Sequence, residues 1–130
     1  MMKLNSLLSI SAVYMALLGI GFLVAPDAIM FGSAGAGASA ALLANLRAIA
    51  SMAIGIAVLN WFARNAEPSK ALNAIVLANT VGFGLAAILE VIALFSAAPA
   101  AQIIFAVIDA LIAVGFASQG RATMAAASKA

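Results

Sequence analysis

The sequence predicts an all-α polytopic membrane protein: one domain, a bundle of four transmembrane helices, with both termini cytoplasmic. Three observations carry this expectation. Apolar residues make up 67% of the 130-residue chain and charged residues 8%, whereas soluble domains run near ~45–50% and ~25%. The apolar residues fall into four runs, each near the ~20 residues that a ~30 Å hydrocarbon core asks of a helix. The basic residues outside those runs gather in alternate connecting segments. Six Lys and Arg with four Asp and Glu cannot clothe a globule of this size in charge, so lipid is the expected solvent. None of the runs shows the alternation of an outer-membrane barrel strand, which leaves helices.

The first span is expected over residues 4–25, stopped by Pro26. Lys3 ahead of an apolar run also suits a signal peptide, but the run outlasts the usual ~7–15-residue apolar core. Its end, Leu23-Val24-Ala25-Pro26, lacks small residues at both cleavage positions and sets proline just after the candidate site. An uncleaved helix is therefore expected. Residues 26–32 suit one or two helical turns, with Pro26 near the first position and Gly32 past the end. Ile29, Met30 and Phe31 would then rest on the outer membrane surface. The following Gly35-Ala36-Gly37 has neither the preceding strand nor the lysine of a phosphate-cradling loop, and reads as a connector.

The second span is expected over residues 40–62, with Trp61 and Phe62 at the cytoplasmic interface, where aromatic side chains collect. The third is expected over 71–96 and the fourth over 101–118. Pro68 and Pro99 are expected just inside the starts of those two spans, where a missing N–H is harmless. Lys3, Arg64, Lys70, Arg121 and Lys129 all lie in segments that four spans place on one side. The opposite connections, 26–39 and 97–100, contain no Lys or Arg. The positive-inside rule then sets both termini in the cytoplasm.

Three spans carry one full charge each: Arg47, Glu90 and Asp109. Ionisable groups inside a bilayer are costly and as a rule face a bundle interior, a partner or a watery cavity. Counted from the outer ends of the predicted spans, they lie about 10, 9 and 12 Å deep at 1.5 Å per residue. They are expected to form one intramembrane polar cluster. At 100° per residue, Arg47, Ser51 and Gly55 share one stripe; Asn79, Phe83 and Glu90 another; and Gln102, Phe105, Asp109 and Ala113 a third. These faces are expected to point inward, with Tyr14 of the first span as a supporting donor beside Ser51, Asn79 and Gln102. Asn45, Asn60 and Thr80 lie off the stripes and are expected to bond to neighbouring helices or a second subunit. Gly19 and Gly21, Ser51 and Gly55, and Gly82 and Ala86 are spaced for close helix approach. One carboxylate suffices to neutralise Arg47 through a bidentate pair; the two acids are expected to titrate as a coupled unit.

The stretch from Asn45 to Arg64, "NLRAIASMAIGIAVLNWFAR", joins an early in-membrane arginine, small residues and a closing W-x-A-R. It resembles small uncharacterised four-helix bacterial inner-membrane proteins, loosely DoxX-like in size and layout. The resemblance implies a multi-pass protein of the bacterial inner membrane and implies no activity. Small multidrug exporters are similar in length and span number, but their working glutamate is in the first helix. The first span here contains no acid.

Composition narrows the chemistry. With no cysteine and no histidine, disulfides, thiolate nucleophiles and zinc–thiolate sites are excluded, along with the usual haem ligand and the commonest general base. No metal and no cofactor are expected. The net charge of +2 is read as a topology signal and gives no reason to expect nucleic acid. The expected partners are the bilayer and a second copy or another membrane protein. The expected role is a non-enzymatic accessory or scaffold component whose Arg–Glu–Asp cluster steadies the helices. The alternative is a small proton- or cation-coupled transporter or channel using the same cluster.

Overall fold

A computed structural model describes residues 3–31, 39–95 and 102–127. Among them every regular element is a helix: α1 (Leu4–Val24), α2 (Pro26–Phe31), α3 (Ala40–Ala63), α4 (Lys70–Leu94) and α5 (Gln102–Ala127). Leu4–Val24, Ala40–Ala63, Lys70–Leu94 and Gln102–Gly120 are each long and apolar enough to cross a membrane. A helix of spanning length thus stands at each of the four expected positions, to within a few residues. Leu17, Met52, Leu111 and Val114 are among many large apolar side chains left exposed, as suits helices whose outer faces meet lipid rather than water.

The helix boundaries follow from local chemistry. Pro26 opens α2, as its fixed φ and missing N–H favour. The turns remain hydrogen-bonded across the junction, through Ala25 N–H to the Gly21 carbonyl and Ile29 N–H to the Ala25 carbonyl. Ser39 Oγ accepts from Leu42 N–H at 3.2 Å at the start of α3. Ser69 caps α4 the same way, accepting from Leu72 N–H at 3.2 Å. The expectation that Pro68 lies inside the third span is corrected here. Serine is the better N-cap because it offers an acceptor to an orphan N–H, so α4 starts after Ser69 and Pro68 stands ahead of the cap. Pro99, the 97–100 turn and Gly35-Ala36-Gly37 lie outside the described residues.

The chain divides into two compact units, Leu8–Phe62 and Met1–Leu7 with Ala63–Ala130. In the first, α1 and α3 run antiparallel. A Cβ on Gly19 would stand 2.6 Å from Ile54 Cγ1 and 3.0 Å from the Ala50 carbonyl oxygen, so only hydrogen permits this approach. Two turns away, the fully buried Asn60 Nδ2 donates to Ser11 Oγ at 3.1 Å. Ser11 in turn donates to the Leu8 carbonyl at 3.0 Å. Gly21 makes room for Ile29 of α2, whose Cδ1 lies 3.1 Å from a Cβ built there. Ile29 thus touches α1 on one side and stays 38% exposed on the other.

In the second unit, α4 and α5 form the main contact. Leu72, Val76, Asn79, Phe83 and Ala87 form the buried stripe of α4. Ala106, Asp109, Ile112, Ala113 and Phe116 form that of α5. The α4 stripe advances by steps of three or four, and Ala106, Asp109, Ala113 and Phe116 do the same on α5 with Ile112 beside them, the spacing that keeps one seam facing a partner helix. Phe83 and Phe116 stack with centroids 6.3 Å apart and ring planes 10° from parallel. Small residues flank this stack: Gly84 faces Ala113, and Gly120 faces Val76. Gly115 admits Leu7, whose Cδ1 lies 3.0 Å from where a Cβ would stand.

Candidate functional site

Glu90 and Asp109 stand at one level of the α4·α5 seam. Their positions follow from the phenylalanine stack: Glu90 is seven residues after Phe83, and Asp109 seven residues before Phe116. On antiparallel helices those equal steps carry both acids to the same side of the stack, about 10 Å along the axis at 1.5 Å per residue. Asp109 is only 5% exposed, whereas Glu90 is half-buried at the edge of the seam. Glu90 Oε2 is itself buried and has no hydrogen-bond partner among the described residues.

The seam is therefore layered. The acids form one layer, the small residues near Ala87 and Ala113 the next, and the aromatic stack a third. Beyond it lies Asn79, which is buried and donates through Nδ2 to the Ile75 carbonyl at 2.9 Å. Asn79, Phe83, Glu90, Asp109 and Ala113 thus line one seam, as their shared helical faces suggested. Gln102 and Phe105 are half-buried at the beginning of α5. Thr80 bonds to its own helix, donating to the Val76 carbonyl at 2.8 Å.

Arg47 belongs to the other unit. It shares a face of α3 with Ser51 and Gly55 as expected, but all three are exposed. The inward face of α3 is instead the stripe Leu46, Ala50, Ala53, Ala57 and Asn60. Ser51 turns its hydroxyl into its own helix, donating to the Ala48 carbonyl at 2.7 Å. A Cβ on Gly55 would meet nothing within 4 Å. Tyr14 is half-buried near the middle of α1. Asn60 does bond to a neighbouring helix, whereas Asn45 is exposed.

Sequence reasoning missed the Phe83–Phe116 stack and the Ser11–Asn60 bond. The first had a readable signal in the matching seven-residue steps to the two acids. For the second, Asn60 was expected to bond to a neighbouring helix, but nothing singled out Ser11 as its partner. The first unit also carries an open groove of about 260 Å³ lined by Ala12, Ala16, Ile54, Ala57, Trp61 and Phe62 among others. Its walls are almost wholly carbon, so it offers shape to a lipid tail and no chemistry. Among the described residues, no three or more His, Cys, Asp or Glu gather where a metal could be held.

No family model matches the chain, and neither the curated proteins nor the solved structures contain a match.

Proposed function

We propose that this chain is a multi-pass protein of the bacterial inner membrane, with both termini cytoplasmic, that serves as a non-enzymatic accessory or scaffold component. The observation that supports this reading best is the layering of the α4·α5 seam. Glu90 and Asp109 share a packing register with Phe83 and Phe116, so the acids occupy positions that fix how two helices meet. Polar groups at one level of an apolar seam select register, because any slip would set a carboxylate against hydrocarbon. Orientation rests on the basic segments around Lys3, Arg64 to Lys70, and Arg121 to Lys129. Reporter fusions after Ala130 and between Arg64 and Lys70 should be active only as cytoplasmic reporters, and one near Gly35 only as an external reporter. A C-terminal reporter that scores as external would reverse the orientation.

The unsatisfied, buried Glu90 Oε2 favours a second reading, a small proton- or cation-coupled transporter. A proton or a bound cation would supply the partner that this oxygen lacks among the described residues. Glu90→Gln and Asp109→Asn keep the side-chain shapes while removing the charge, so they separate the two. On the scaffold reading each variant packs nearly as the wild type does, and wild-type proteoliposomes carry no flux across a pH gradient. Wild-type flux of protons or cations that either isostere abolishes would replace the scaffold reading with the transporter.

A further inference from the structure

Among the exposed helix faces of the two units, one on α3 and one on α4 match each other. On α3, Arg47, Ser51, Gly55 and Leu59 form a row at four-residue steps, exposed throughout. On α4, Ala74, Ala78, Gly82, Ala86 and Glu90 form a second row at the same step, exposed from Ala74 to Gly82 and half-buried at Ala86 and Glu90. Rows of this spacing are the ridges by which helices interlock, and small side chains let membrane helix backbones come close. Both rows are open at their glycines: a Cβ on Gly55 or on Gly82 would meet nothing within 4 Å.

Charge pairs the rows further. Arg47 is the ionisable residue of the α3 row; on the α4 row Glu90 stands near one end, with Lys70 a further step before Ala74 at the other. Arg47 is seven residues after the start of α3, and Glu90 four residues before the end of α4. Spans that cross a bilayer in alternate senses would set each charge about 6–10 Å from the same membrane face. Helical side chains lean toward their own N-terminus. The guanidinium therefore leans toward that face, and the Glu90 carboxylate leans back toward Ala86. They meet when Arg47 lies opposite Ala86, which sets Ser51 opposite Gly82 and Gly55 opposite Ala78. Ser51–Gly82 and Gly55–Ala78 are then pairs of small residues, Leu59 lies over Ala74, and the two opposite charges stand together at the other end.

We propose that a second copy of this chain docks here, α3 of one copy lying along α4 of the next, with Arg47 reaching the acid layer of its neighbour. The occupant is a second copy because the chain itself presents both halves of a complementary surface: an ionised arginine on an exposed transmembrane face, and an acid at matching depth on the other. A lipid phosphate would answer the arginine but would leave the small-residue row of α4 unmatched. The proposal rests on the scaffold reading and names its partner.

The chain has no native cysteine, so introduced pairs report contacts without background. One copy carrying Ser51→Cys and a differently tagged copy carrying Gly82→Cys, oxidised together in membranes, should give a mixed disulfide dimer. A disulfide needs Cβ atoms within about 3.5–4.5 Å, so it reports this register closely. Adding Arg47→Glu to the first copy should cut dimer yield about tenfold or more, as expected of a close interfacial charge pair. Placing Glu90→Arg on the second copy should then restore it. Misfolding could not produce such rescue. The assembly is overturned if singly substituted copies give no dimer while a doubly substituted chain links only within itself, or if the dimer forms regardless of the charge at Arg47. Either result beside silent proteoliposomes would leave the scaffold reading standing; flux abolished by the acid isosteres would remove that reading whatever the cross-linking shows.

Discussion

Phe116→Ala should destabilise the α4·α5 pair by about 3 kcal/mol, the low end of the range for emptying a packed phenylalanine site. Phe116 is fully buried and stacks on Phe83 at 6.3 Å. Lipid is as apolar as the site, so the loss comes from packing contacts rather than from transfer to water. Small neighbours such as Gly115 and Gly120 have no side chain with which to refill the space. The measurement is equilibrium unfolding in mixed micelles against wild type, with Phe116→Leu as the volume-conserving control, expected to lose less than half as much. Equal stability of Phe116→Ala and wild type would mean that the stack does not hold the seam.

The second large effect is expected at Gly19→Leu. Any Cβ at this position lies 2.6 Å from Ile54 Cγ1 and 3.0 Å from the Ala50 carbonyl oxygen. The isoleucine can rotate, but the carbonyl belongs to the α3 backbone and cannot move without moving the helix. Overpacking usually costs about 1–3 kcal/mol, and a leucine against backbone belongs at the upper end. The same substitution at Gly55 or Gly82, where the space is open, should leave the stability of a single chain almost unchanged. Comparing the three by thermal unfolding in detergent isolates the α1·α3 approach. Equal losses at all three would point to the loss of glycine itself rather than to a steric clash.

Much of the architecture was legible in the sequence because a bilayer sets a length requirement that can be counted directly. Pro26 and the basic segments punctuated those lengths clearly. At Pro68-Ser69 two boundary signals stand side by side, and the proline conceals the stronger one: the serine oxygen that accepts from Leu72 N–H. The seam between Glu90 and Asp109 was legible too, since polar residues recur on the same faces as the acids. The inward side of α3 was not. It is paved by Ala50, Ala53 and Ala57, which hydropathy cannot tell from residues that face lipid. Reading polarity as a mark of the inward side put Arg47 and Ser51 on the wrong face. In lipid both sides of a helix are apolar, and size at the contact, as at Gly19, becomes the surer guide.

The bond between Ser11 and Asn60 also bears on how the chain is made. Synthesis delivers α1 to the membrane before α3, and the two bonded residues are 49 positions apart. α3 is the costly helix to insert, since it carries Asn60 at one end and Arg47 toward the other. An arginine alone adds about 2.5–3.5 kcal/mol to insertion when it sits at a helix centre. Were the helices to enter a bilayer in chain order, Ser11 would be in place to receive Asn60, and Gly19 would keep a path clear for Ala50. The first helix would then be a template, and the less apolar helix would enter against a surface already shaped for it and already polar at Ser11.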